Sequence, residues 1–184
     1  MQKFVVTKRK RRTIIGAAVV LLVVAAFALS ASDGDSLTGG DGDGSGGGRQ
    51  LPDAQFAMFD GSSATFADFE GQPLVVNFWA SWCPACVNEL PEFQAVYERV
   101  GDEVTILGLA NRDPRTRSEA LAAEVGLTYP LADDPEGALF RSLDLIAMPS
   151  TLFISADGEV QEVFAGQLTG PALEERIERL RSAS

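Results

Sequence analysis

The sequence predicts an α/β domain with a mixed central β-sheet flanked by helices, preceded by one N-terminal transmembrane helix. Three observations carry this. Residues 13–31 hold no charged side chain. Buried-strand and helix patterns alternate from Leu74 to about Leu143. A strand–turn–strand unit and an amphipathic helix then close the chain, which adds antiparallel pairing to a parallel sheet.

The first element is a basic tip, residues 1–12, with Lys3, Lys8, Arg9, Lys10, Arg11 and Arg12 and no acid. Thr13–Ala31 follows, 19 uncharged residues. As a helix it would span ~28 Å, close to the ~30 Å hydrocarbon core of a bilayer. The basic tip stays cytoplasmic by the positive-inside rule, which places everything after residue 31 outside. The segment reads as a retained signal anchor, because its apolar run exceeds the ~7–15 residues of a signal-peptide core. The alternative is cleavage near Ala28–Ser32 and secretion. Residues 32–50 contain eight glycines, four aspartates and three serines and almost nothing apolar to bury. They read as a disordered tether with an end-to-end reach of ~25 Å.

Residues 51–184 read as one domain. Leu74–Ala80 (Leu-Val-Val-Asn-Phe-Trp-Ala) is a buried strand. A helix starts at Pro84 and continues to about Val100, with an interruption expected near Pro91. Val104–Ala110 is a second buried strand, Pro114–Val125 a helix and Pro135–Leu143 a short helix. Thr151–Ile154 and Val160–Phe164 flank a turn at Ala156-Asp157-Gly158. Pro171 opens the last helix, where Leu173, Ile177 and Leu180 line one face. Asp60-Gly61 and Asp133-Asp134 read as turn chemistry. Arg112, Arg115 and Arg117 read as a solvated turn and helix start.

Composition removes whole classes of chemistry. The 184 residues include no histidine and only two cysteines, and the formal net charge is −11. Without histidine there is no Ser-His-Asp triad, Cys-His pair or histidine-ligated metal. Two cysteines cannot close a four-cysteine zinc or iron–sulfur site. From residue 51 onward, 22 acidic residues outnumber 8 basic ones, so no nucleic-acid partner is expected. No metal and no cofactor beyond a redox disulfide are expected.

Trp82-Cys83-Pro84-Ala85-Cys86 sits between a buried strand and a helix. Cys83 falls at the helix N-terminus, where free N–H groups and the helix dipole stabilise a thiolate. Cys86, three residues on, lies beside it and in reach of a disulfide. Cys83 is the natural attacker and Cys86 the resolver. Two other readings of the pair stand beside this one. A purely stabilising disulfide is common in exported proteins, although so short a loop removes little unfolded-state entropy. Half of an intermolecular zinc site is the other.

The string Val76–Cys86, with Glu89-Leu90-Pro91 after it and Met148-Pro149-Ser150-Thr151 later, resembles the thioredoxin superfamily. More narrowly it is similar to the TlpA/ResA branch of membrane-anchored, extracytoplasmic thiol–disulfide oxidoreductases. The likeness covers residues 51–184. It implies a thioredoxin fold with a β-α insertion around 111–145, and often a reducing role in cytochrome c maturation. It implies that Pro149 is a cis-proline beside the cysteines, leaving adjoining backbone free to pair with a substrate peptide. It implies that Glu89 is the branch's acid on the active-site helix, placed to relay a proton to Cys86 or raise its pKa. Asn77 stands where ordinary thioredoxins carry a buried aspartate, which suits this branch. Trp82 and Met148 join Pro149 as expected substrate-contact residues, and Trp79 is expected in the core.

The expected activity is thiol–disulfide exchange in exported protein substrates, by a monomer supplied by a membrane-embedded thiol donor. Pro84-Ala85 places no histidine between the cysteines, which favours a reducing couple over strong oxidants near about −120 mV. The alternatives are a disulfide-forming oxidase, a peroxidase lacking an activating arginine in its motif, and a copper-carrying assembly protein lacking histidine.

Overall fold

A computed structural model describes residues 50–182. The expected basic tip, anchor and nearly all of the tether lie outside the described residues. Two short strands, β1 (Phe56–Ala57) and β2 (Ser63–Ala64), pair antiparallel, and a 3-10 turn follows at Phe66–Phe69. The main elements are β3 (Leu74–Trp79), α1 (Pro84–Val100), β4 (Thr105–Asn111), α2 (Arg115–Val125), β5 (Leu131–Asp134), α3 (Ala138–Ser142), β6 (Ser150–Ile154), β7 (Val160–Ala165) and α4 (Gly170–Ser182).

The five-stranded sheet runs β5-β4-β3-β6-β7. β3, β4 and β5 are mutually parallel, whereas β6 pairs antiparallel to β3 and β7 to β6. The sheet is therefore mixed, and β3 is the strand where its two halves meet. All six β3 residues are buried, as a strand covered on both faces requires. Alternation along β3 sends Val75 and Trp79 into one core, with Leu90, Phe93, Leu173 and Ile177 of α1 and α4. Val76 and Phe78 go to the other, with Leu139, Leu143 and Phe56.

Three local readings need correction. The helix is not interrupted at Pro91: α1 is continuous from Pro84 to Val100. Pro91 has no N–H for the carbonyl of Val87, but Leu90 and Phe93 on either side are fully buried. Their packing, worth about 1.5–3 kcal/mol each, holds the helix through the proline. Asp133 and Asp134 are not turn residues but the end of β5. Asp134 accepts hydrogen bonds from the backbone N–H groups of Leu139 (3.2 Å) and Phe140 (2.9 Å), so it serves the N-terminus of α3. Asp133 pairs with Arg115. Arg115 is accordingly only half-exposed and engaged, whereas Arg112 and Arg117 are exposed as expected. The Arg115 guanidinium also pairs with Glu119 at 2.6 Å and stacks 4.1 Å from the Phe59 ring centroid. Asp60-Gly61 is a turn, with Ser62 donating to Asp60 and Gly61 at φ 88°.

Candidate active site

The antiparallel register of β3 and β6 assembles the site. Phe78 near the end of β3 faces Ser150 at the start of β6. The loop leaving β3 carries the cysteines and the loop entering β6 carries Pro149. Both therefore emerge at one end of the sheet.

Cys83 is the N-cap of α1, with extended φ −100° and ψ 105°, and Pro84 occupies the first helical turn. Its Sγ accepts the backbone N–H of Cys86 at 3.3 Å. One of the orphan N–H groups of the helix start is thus aimed at the sulfur, the arrangement that lowers a thiol pKa. Cys83 and Cys86 are joined as a disulfide with Cα atoms 5.2 Å apart. Cys83 keeps 6% of its surface and Cys86 none. Of the two cysteines only Cys83 keeps any exposed surface.

Glu89 is fully buried on α1, one turn beyond Cys86. It is not a solvated helix residue. Its Oε1 accepts from Asn77 Nδ2 at 2.8 Å and its Oε2 from the backbone N–H of Leu168 at 2.9 Å. Burial raises its pKa from the ordinary 4.5, the two hydrogen bonds pull it back, and it settles at about 7. Such a carboxyl exchanges protons at neutral pH. Asn77 lies on β3 between Gly108 of β4 and Thr151 of β6, and its Nδ2 also contacts Thr151 Oγ1 at 3.3 Å. Burial first, and the charge of Glu89 second, push the Tyr129 hydroxyl above its ordinary pKa.

The peptide bond between Met148 and Pro149 is cis. Met148 is half-buried and packs against both cores. Trp79 is fully buried, as its place in the strand implied. Trp82 is 53% exposed beside Cys83, with its indole N–H donating to the carbonyl of Arg112 at 3.1 Å. The sequence reading missed Ile146, which is 95% exposed in the loop just before Pro149. An apolar residue three positions ahead of that proline was its only signal. It also missed Leu168, which contributes only backbone and leaves no mark on residue type. Asp113 was missed too: both its carboxylate oxygens hold Ser81, two residues before Cys83. Among the described residues, no cluster of three or more Cys, Asp or Glu side chains is arranged to hold a metal.

A thioredoxin-type sheet, a cysteine pair capping the helix after its central strand and a cis-proline at the same end define a thiol–disulfide oxidoreductase. Residues 48–163 match the AhpC/TSA family, and the chain belongs to that thioredoxin-like family. It is 30% identical over 177 residues to the thiol-disulfide oxidoreductase ResA of Oceanobacillus iheyensis, covering 91% of this chain and 88% of the relative. It is 26% identical over 137 residues to ResA of Geobacillus kaustophilus, covering 73% and 78%. Among solved structures, MTB DsbF in its mixed oxidized and reduced forms matches with a TM-score of 0.66 and 25% identity, over 71% of this chain and 99% of that one. The chain is a ResA-like member of the thioredoxin superfamily, and its enzyme class is thiol–disulfide oxidoreductase.

Proposed function

We propose that the protein reduces disulfides in exported proteins, outside the membrane, with maturation of cytochrome c among its uses. The observation that carries the exchange chemistry of this reading is the inequality of the two cysteines. Cys83 is reachable and capped by a helix N-terminus, while Cys86 is buried one turn from a carboxyl with a pKa of about 7.

In the reduced protein the Cys83 thiolate attacks one sulfur of the substrate disulfide. A Cys83–substrate disulfide forms and the substrate's other sulfur leaves as a thiolate. Cys86 passes its proton to Glu89, and its thiolate attacks Cys83 Sγ. The internal disulfide closes and the second substrate sulfur is expelled. The substrate gains two electrons and the protein loses two. A dithiol donor in the membrane returns them by the reverse exchange. Trp82, Ile146, Met148 and Pro149 give an extended, partly apolar substrate segment its landing place, with backbone beside the cis-proline open to strand-like pairing.

Retention by an anchor at residues 13–31 and a tether at 32–50 fits this role. A reach of ~25 Å keeps the domain at the membrane face and raises its effective concentration for donors there. The direction of electron flow rests on Pro84-Ala85, which offers the Cys83 thiolate no histidine partner. Equilibration against dithiothreitol or glutathione buffers, followed by thiol content, tests it. A potential well below about −120 mV is expected, and a value near that of the strong oxidants overturns the reductase reading.

A further inference from the structure

Residues 111–113, where β4 ends, touch both loops of the active site. Asp113 is 5% exposed and reaches across to the loop that precedes the cysteines. Its Oδ2 accepts the backbone N–H of Ser81 at 2.6 Å, and its Oδ1 accepts the Ser81 hydroxyl at 2.8 Å. Hydrogen bonds to a charged acceptor are about twice as strong as neutral ones, and two on one residue fix orientation as well as distance. The preceding carbonyl, of Arg112, accepts the Trp82 indole N–H at 3.1 Å. Asn111 Nδ2 points at Met148 Sδ, 3.3 Å away, on the residue before the cis-proline.

Arg112 adopts φ 49°. A left-handed conformation costs a side-chain-bearing residue roughly 1–2 kcal/mol. It persists where the surroundings over-determine it, and such residues gather at functional sites. Here the backbone N–H of Arg112 is held by the carbonyl of Asp134 at 3.0 Å and its carbonyl by Trp82. Gly137 makes room, since a Cβ there would stand 2.6 Å from Arg112 Nε. The chain is bent so that three consecutive residues face three different parts of the site.

We propose that Asn111–Asp113 is a positioning clamp that aligns the Ser81–Cys83 loop with the Met148–Pro149 loop, and that Asp113 is its principal positioning residue. The clamp acts on alignment, not on sulfur chemistry. A protein substrate must pair with the cis-proline loop while its disulfide meets Cys83, so it needs both loops in register. A small disulfide needs only the sulfur. Misplacement by about 1 Å can cost about 100-fold in rate, and that loss should fall on protein substrates.

The test compares Asp113→Ala, Asp113→Asn and Ser81→Ala with wild type in the full, reduced chain in detergent. Each is assayed against insulin disulfides and against a small aromatic disulfide. Rates are taken per folded molecule, with the folded fraction read from circular dichroism. Asp113→Ala should lower the ratio of protein to small-disulfide rates at least about tenfold. Asp113→Asn, whose amide can accept the Ser81 N–H and donate to its hydroxyl, should restore most of that ratio. Ser81→Ala, which removes one of the two bonds, should fall between. Should Asp113→Ala not fold, the Ser81→Ala ratio decides. An unchanged ratio, or two rates falling in parallel, overturns the clamp and leaves Asp113 a stabilising residue only.

Discussion

Replacing Glu89 by glutamine should change how stability depends on pH. In the unfolded chain this carboxyl loses its proton near 4.5, and in the folded one near 7. Between these values the folded protein binds more protons than the unfolded, so stability falls as pH rises through the window and levels off above it. At about 1.4 kcal/mol per pH unit the full loss is about 3 kcal/mol. The glutamine side chain cannot ionise, so this loss should vanish in Glu89→Gln. Its amide can accept from Leu168 and, if the Asn77 amide turns over, donate to Asn77 Oδ1. That oxygen is buried with no hydrogen-bond partner among the described residues. The assay is urea unfolding of the oxidised protein at pH 5 and pH 8. Wild type should lose about 2–3 kcal/mol more between the two than the variant does. Equal losses would show that Glu89 is not the buried acid described here. The same substitution should also abolish the inflection near pH 7 in the rate at which Cys86 resolves a mixed disulfide. A profile identical to wild type would remove Glu89 from the proton path.

Two further expectations are simpler. Iodoacetamide should modify Cys83 in the Cys86→Ser protein faster than Cys86 in the Cys83→Ser protein at neutral pH, because only Cys83 combines a helix N-terminus with access; equal rates, or a faster Cys86, reverse the assignment of attacker and resolver. On fractionation of the native host, the protein should sediment with membranes and be released by detergent but not by salt; a soluble chain beginning near Ala31 or Asp33 would show cleavage instead.

The cysteine centre was legible in the sequence because its logic is local. A buried strand, a cysteine at the following helix start and a second one turn later lie within thirteen residues, 74–86. Glu89 was reachable through the resemblance to the TlpA/ResA branch, with its spacing from Cys86 in keeping, and the two halves of the sheet by the change from strand–helix alternation to a hairpin. What stayed hidden depends on distant partners. Asp113 meets Ser81 across 32 positions, and Leu168 meets Glu89 across 79. The end of β5 reads as turn chemistry from sequence because its last two residues, Asp133 and Asp134, are aspartates. Those acids are tolerated because Arg115 and the start of α3 receive them. The expected break at Pro91 failed for a related reason: burial on both sides outweighed the lost hydrogen bond.

The hydrogen bond from Leu168 to Glu89 joins the redox helix to the last stretch of the chain, and this has a consequence for biosynthesis. A chain made from its N-terminus presents Cys83 and Cys86 long before residue 168 has emerged. Until then Glu89 lacks the Leu168 N–H, which in the folded protein stabilises the charged carboxylate and pulls its pKa down against burial. A chain cut short before residue 168 would keep both cysteines and the hairpin β6–β7, and would lose this tie between the redox helix and the segment that leads into α4.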